Sequence, residues 1–249
     1  MTNKAIIRIL IFYIIGITLS NVFRFDLFEL SKGQEYLSPL LLILTSPLGA
    51  IGLLIGSLIS MYLLKKERKL SFSLFGTSRK LSVIMMLIPI VLFTVFGVQN
   101  LNELNIHSYG LAVGISAFIY CFCEEIGWRG YLQDELSFVK EWQRVIVIGF
   151  LWYLWHLPFV SNHNIVDNLQ FLGWMIFGSW GIGKITELTK SIIAATCFHM
   201  VINILMFNSI TRNGLAGSSK LIILGVSIVL WILILIIWGK EKKTIANNV

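Results

Sequence analysis

Polar side chains interrupt three otherwise apolar stretches of this 249-residue chain, and their types suit hydrolytic chemistry. They are acidic, basic, imidazole and amide groups: Glu124, Glu125, Arg129, His156, His199 and Asn203. A charged side chain at membrane depth costs about 2.5–3.5 kcal/mol, so one that is retained there normally faces a cavity and has a function. A single histidine or asparagine in a membrane can also be a plain hydrogen-bonding contact between helices. The joint occurrence of all six favours a functional site.

Four of these residues supply the parts of a water-activating site. A carboxylate and a histidine on adjacent helices can hold and deprotonate a water for attack on a carbonyl carbon. Glu124 and His156 fit this role. A second histidine and an amide one helical turn apart can donate hydrogen bonds to the oxyanion of the tetrahedral intermediate. His199 and Asn203, at positions i and i+4, share one face of a helix and fit that second role.

The remaining pair is predicted to be structural. Glu125 and Arg129 are four residues apart, in the order that favours an ion pair on a helix. Such pairing offsets part of the cost of burying both charges. Because Glu124 is turned by about 100° from Glu125, Arg129 cannot pair equally well with both carboxylates. We therefore expect Glu125 to be the structural partner and Glu124 to be free.

Two other chemistries compete with a water activated by protein groups alone. Glu124, His156 and His199 are also a possible zinc-ligand set, although the ligands would come from three separate spans and no His-Glu-x-x-His helix is present. A cysteine nucleophile is the second alternative, since Cys123 adjoins Glu124 and Cys197 precedes His199 by two residues. Neighbouring carboxylates and a low dielectric disfavour the reactive thiolate, which makes this alternative weak.

The elements that position these groups are predicted to be membrane-spanning helices. Apolar residues make up 56% of the chain and charged residues 13%, whereas a soluble domain is about 25% charged. A spanning helix needs about 20 residues, and most of the eight apolar runs approach that length: 5–23, 37–64, 81–98, 109–123, 145–160, 169–182, 191–207 and 221–238. The fourth run is predicted to continue as a helix to about Leu136. We expect an all-α polytopic membrane protein with about eight transmembrane helices (seven is the alternative), forming a single integral-membrane domain over residues 1–249.

Charge placement predicts the orientation of this bundle. The net charge is +7, and with the N-terminus inside, the outer segments hold only four of the 20 basic residues, namely Arg24, Lys32, Arg212 and Lys220. This bias satisfies the positive-inside rule with both termini cytoplasmic. The basic residues are therefore assigned to topology and to lipid headgroups, not to nucleic acid. The first run lacks a small-x-small cleavage site and is predicted to be an uncleaved helix of a multi-pass cell-membrane protein.

The three motifs resemble those of the CPBP family of intramembrane proteases, also called the Abi family, which includes the type II CAAX prenyl endopeptidases. The matching residues are Glu124, Glu125 and Arg129 in the first motif, His156 in the second, and His199 with Asn203 in the third. The resemblance covers about residues 109–207. The second motif usually begins with phenylalanine, and Trp152 stands at that position here.

The resemblance implies an intramembrane endopeptidase that cleaves a membrane-associated or lipidated peptide or protein. Glu124 and His156 would activate water, His199 and Asn203 would stabilise the oxyanion, and Glu125 with Arg129 would hold the helix. The family has been described as glutamate-dependent and as metal-dependent; the residues favour a mechanism that requires no cofactor, with zinc on Glu124, His156 and His199 as the open alternative. A transporter or bacteriocin-immunity protein that uses the same cluster to bind ions or peptides is the rival function.

Overall fold

The computed structural model describes residues 3–25, 39–45, 47–64, 71–101, 103–157, 164–206 and 213–247. Pro158, Phe207 and several of the basic residues assigned to topology, including Lys32, Lys65 and Arg212, lie outside these ranges. The helices in the described part are α1 (Asn3–Arg24), α2 (Pro39–Thr45), α3 (Leu48–Leu58), α4 (Arg79–Phe96), α5 (Ile106–Glu125), α6 (Gln133–Glu135), α7 (Glu141–His156), α8 (Ile165–Thr189), α9 (Ile192–Met206) and α10 (Gly217–Asn247). The predicted all-α membrane architecture is confirmed.

Five helical segments of the described chain are long and apolar enough to cross a membrane. They are Asn3–Arg24, Ile43–Leu63, Arg79–Phe96, Ile106–Glu135 and Gly217–Glu241. The other three predicted spans correspond to α7, α8 and α9, which do not meet the same length and hydropathy requirements. The number of spans and the cytoplasmic position of the termini stay predictions.

The helix that carries the acidic pair is continuous but not uniform. The α5 helix passes directly into a π-helical segment, Ile126–Leu132, and then into the short α6. The predicted continuation to about Leu136 is therefore confirmed, with a wider turn inserted immediately after Glu125. Single π-helical turns inside α-helices are often found at functional sites. This turn carries Trp128 and Arg129, and both are fully buried.

Helix α1 packs closely against α3 because both present small residues at the contact. A Cβ atom added at Gly52 would lie 2.4 Å from the backbone oxygen of Gly16, and one at Gly56 would lie 2.7 Å from that of Phe12. Small residues allow this close backbone approach between membrane helices. The α1 helix reaches from Arg8, which pairs with Glu135 at 2.6 Å, to Arg24, which contacts α7.

A short loop holds the start of α9. Ser73 and Ser191 form a parallel bridge in which the Ser73 amide donates to the Lys190 carbonyl and the Ile192 amide donates to the Ser73 carbonyl. The Ser191 hydroxyl adds a hydrogen bond to the Leu74 carbonyl at 3.0 Å. These bonds fix the N-terminal end of the helix that carries His199. We call this loop, residues 71–78, the brace, because it holds the start of the helix that carries the third motif.

Candidate active site

Glu124 lies at the centre of the described polar cluster. Its side chain is fully buried, and its Oε2 atom accepts hydrogen bonds from the indole nitrogens of Trp128 at 3.3 Å and Trp152 at 3.2 Å. The Nε2 atom of His199 is 3.7 Å from the same oxygen. The Oε1 atom has no hydrogen-bond partner among the residues that the structure describes. The Glu124 carboxylate, which we expected to be free, thus has one oxygen without a described partner, Oε1, and one that accepts two hydrogen bonds, Oε2.

Glu125 contacts two of the other motif residues, His199 and Arg129. Its Oε1 atom forms a 2.7 Å hydrogen bond with Nδ1 of His199, and its Oε2 atom is 3.4 Å from Nε of Arg129. All three side chains are buried. The predicted Glu125–Arg129 pair is present. Since a carboxylate only accepts hydrogen bonds, Nδ1 of His199 carries the proton and its Nε2 atom is directed towards Glu124.

His156 is oriented by the backbone of its own helix. Its Nδ1 atom lies 2.8 Å from the carbonyl oxygen of Trp152. Because a carbonyl cannot donate, Nδ1 is the protonated nitrogen and Nε2 is the basic nitrogen of the neutral ring. The ring also contacts Trp155, with centroids 4.8 Å apart, and Phe171, with centroids 6.0 Å apart. His156 is thus in a fixed tautomer at the end of α7.

Trp152 contacts one residue of each of the three motifs. Besides its bond to Glu124, its ring contacts that of His199 with centroids 5.0 Å apart in a perpendicular arrangement, and that of His156 with centroids 5.8 Å apart. In the sequence, Trp152 differs from the phenylalanine that usually begins the second motif. A phenylalanine ring would pack here, but it has no N–H to donate to Glu124. The change from phenylalanine to tryptophan is therefore the sequence feature that pointed to this donor.

Asn203 is the least closely connected of the predicted residues. Its side chain is partly buried, and its Nδ2 atom donates to Sγ of Cys121 at 3.6 Å. Cys121 is three residues before Glu124, so this contact places the amide about one turn of α5 away from the carboxylate. The structure therefore brings Glu124, Glu125, Arg129 and His199 into direct contact, with His156 joined through Trp152 and Asn203 through Cys121.

The described residues contain no group of three His, Cys, Asp or Glu side chains arranged to hold a metal ion. The Nδ1 atoms of His156 and His199 face other acceptors, which leaves Nε2 of each ring able to bind a metal, and Glu124 keeps its Oε1 atom. The ligand types are therefore compatible with zinc, whereas their arrangement in the structure does not form a metal site. The reaction is described below through the protein's own groups.

Residues 105–205 match the family model described as type II CAAX prenyl endopeptidase, Rce1-like. The predicted family resemblance is confirmed over this segment. The chain is also 38% identical over 93 residues to CAAX prenyl protease 2 of Methanococcus maripaludis. That alignment covers 32% of this chain and 34% of the relative, so the chain matches about a third of the relative's length. No solved structure matches the chain.

Proposed function

We propose that this protein is an intramembrane endopeptidase that hydrolyses a peptide bond of a membrane-associated, lipidated peptide or protein. The observation that carries the proposal is the burial and hydrogen bonding of the Glu124 carboxylate. Its carboxylate is fully buried, held at Oε2 by two indoles, and without a described hydrogen-bond partner at Oε1. It lies in the segment that is similar to CAAX prenyl proteases. The similarity favours an endopeptidase over the transporter or immunity-protein alternative.

The first chemical step is the activation of water by Glu124. Oε1 takes a proton from water as the water oxygen bonds to the carbonyl carbon of the scissile peptide. The two indole donors on Oε2 keep the carboxylate oriented during this transfer. We assign to His156, through its Nε2 atom, a share in holding the same water.

The second step is the breakdown of the tetrahedral intermediate. Asn203 Nδ2 and, when protonated, His199 Nε2 donate hydrogen bonds to the oxyanion. The C–N bond then breaks as Glu124 delivers its proton to the leaving amine nitrogen. Glu125 keeps the His199 ring in place through the 2.7 Å bond to Nδ1.

We propose that this reaction requires no metal ion. The purified protein should keep its activity after exhaustive chelation and dialysis, with residual zinc measured by mass spectrometry. Loss of activity on metal removal and its recovery with zinc would establish the metal-dependent alternative on Glu124, His156 and His199.

Terminal-peptide proteomics of cell membranes tests the function and identifies the substrate together. Membranes from cells that express wild type should contain new peptide termini that are absent with Glu124→Gln and present with Glu103→Gln. Glu103 is an exposed loop residue outside the cluster, which makes it a matched control. Identical terminal-peptide profiles for wild type and Glu124→Gln would refute the proposal.

A further inference from the structure

Arg24 is the last residue of α1 and lies outside the segment that matches the family model. The sequence explains it only as one of four basic residues on the outer side of the membrane. The structure places its side chain against α7 instead, at the turn that carries His156. Two independent contacts define this position.

Both contacts are made to Trp155. The Nη1 atom of Arg24 donates to the Trp155 carbonyl oxygen at 2.8 Å, and the guanidinium carbon lies 3.2 Å from the centroid of the Trp155 ring. The last four carbonyl groups of an α-helix lack intrahelical partners, and a cation at this end also interacts favourably with the helix dipole. Arg24 therefore caps the C-terminus of α7 from another helix.

Trp155 lies between Arg24 and the reacting groups. Its ring is perpendicular to that of His156, with centroids 4.8 Å apart, and perpendicular to that of Trp128, with centroids 6.2 Å apart. Trp128 in turn donates to Glu124. Because Trp155 is fully buried, movement of its ring must displace one of these neighbours.

The side chain of Arg24 also lies beside the start of α3. A Cβ atom added at Gly49 would lie 3.7 Å from Cγ of Arg24, an ordinary van der Waals distance, and 3.3 Å from the ring of Tyr120 on α5. The positive charge of the guanidinium is also attracted by the Glu124 carboxylate.

We propose that Arg24 is a positioning residue of the active site, which fixes the last turn of α7 and thereby the places of His156 and of the Trp128 indole on Glu124. The proposal rests on the endopeptidase function described above. Arginine suits this task because its planar group can stack on a ring while it donates to a carbonyl. A lysine supplies the charge and one donor but does not stack in the same way, so Arg24→Lys should restore the contact in part.

The test compares Arg24→Gln, Arg24→Lys and the control Arg79→Gln in detergent-solubilised full-length protein. Arg79 also lies over an aromatic ring, that of Phe75 at 5.1 Å, but it is exposed at the start of α4. The first readout is the nitrogen chemical shift of the His156 ring in protein labelled with ¹⁵N-histidine, assigned with a His156→Gln variant. The second is kcat and KM for cleavage of a synthetic farnesylated CAAX peptide.

We expect Arg24→Gln to shift the His156 resonances and to lower kcat by about 10- to 100-fold with KM within about twofold, the size of loss that a misplaced reacting group causes. Arg24→Lys should be intermediate and Arg79→Gln unchanged. Wild-type His156 resonances or wild-type kcat in Arg24→Gln would overturn the proposal. If wild type does not cleave the probe peptide, the endopeptidase proposal is contradicted for that substrate class, while the resonance shifts still decide the role of Arg24.

Discussion

Two tryptophan indoles hold the carboxylate that we place at the centre of catalysis, and this arrangement separates Glu124 from Glu125. Adjacent glutamates differ by about 100° in direction on a helix. In the structure, Glu124 accepts from Trp128 and Trp152, whereas Glu125 contacts Arg129 and His199. The division of the acidic pair into a free and a paired carboxylate was predictable from spacing. The indole donors were not, because the bond from Trp152 on α7 to Glu124 on α5 depends on how these two helices pack together.

Trp152→Phe should lower kcat/KM by about 10- to 100-fold. The change keeps an aromatic ring but removes one N–H donor to a charged acceptor, an interaction that contributes about 1.5–3 kcal/mol. Cleavage of the farnesylated peptide by purified protein measures the effect. Trp231→Phe is the matched control, since its indole donates at 3.0 Å to the Met85 carbonyl in a different part of the interior. Equal specific activities of the two variants would contradict the assigned role of the Trp152 donor.

Glu125→Gln should lose stability as well as activity. The substitution removes the negative charge 3.4 Å from the buried Nε atom of Arg129, and leaving a buried charge without its partner costs about 3–5 kcal/mol. Glu124→Gln should unfold close to the wild-type temperature, because the amide oxygen can still accept from the indoles. Thermal unfolding in detergent distinguishes the two variants. A larger loss of stability in Glu124→Gln than in Glu125→Gln would reverse the roles assigned to the pair.

At the scale of the elements, the motif helices are positioned by parts of the chain that carry no motif. The loop from Ser71 to Ser78 forms hydrogen bonds with the junction of α8 and α9. The α1 helix contacts the helices of the site near both of its own ends, where Arg8 pairs with Glu135 and Arg24 binds Trp155. Hydrophobic periodicity predicted the helices themselves. It could not predict the π-helical turn after Glu125, because apolar spacing does not distinguish a local widening from a regular helix. That turn contains Trp128, which donates to Glu124, and Arg129, which pairs with Glu125.

Gly76→Ala should destabilise the protein and reduce its activity. Gly76 has a φ of 61°, and an added Cβ would lie 2.1 Å from the Thr189 carbonyl oxygen and 2.7 Å from the Ser191 amide nitrogen. The strain of such a site is about 1–3 kcal/mol, and it falls on the brace that holds the start of α9. The unfolding temperature and peptide cleavage should both drop. Gly173→Ala is the control, because nothing lies within 4 Å of its new Cβ, and we expect its unfolding temperature and its peptide cleavage to stay at the wild-type values. An equal effect in both variants would argue against the brace.

At the scale of the whole molecule, composition was sufficient to predict an all-α membrane protein, because a chain with 13% charged residues cannot cover a soluble surface of ordinary polarity. Five described helices have the length and apolarity to cross a membrane. The α7 and α9 helices, which carry the two histidines, have 16 and 15 residues and are shorter than a helix that crosses a membrane alone.

Cysteine labelling should place both ends of the chain on the cytoplasmic side. We expect Lys4→Cys and Lys240→Cys to react with a membrane-impermeant maleimide in inverted vesicles and not in intact cells, with Lys220→Cys showing the reverse. The three native cysteines are buried and free, which makes them a suitable background. Labelling of Lys4→Cys and Lys240→Cys from opposite sides would contradict an even number of spans.

The central claim is that Glu124 activates water for peptide-bond cleavage inside the membrane. The most direct test is the cleavage of a farnesylated CAAX peptide by purified full-length protein in lipid nanodiscs, with wild type, Glu124→Gln and the control Glu103→Gln compared at equal folded concentration. The account predicts cleavage by wild type and Glu103→Gln, and a loss of at least about 100-fold in kcat for Glu124→Gln, as expected when a general base is removed. Cleavage by Glu124→Gln at the wild-type rate would contradict it.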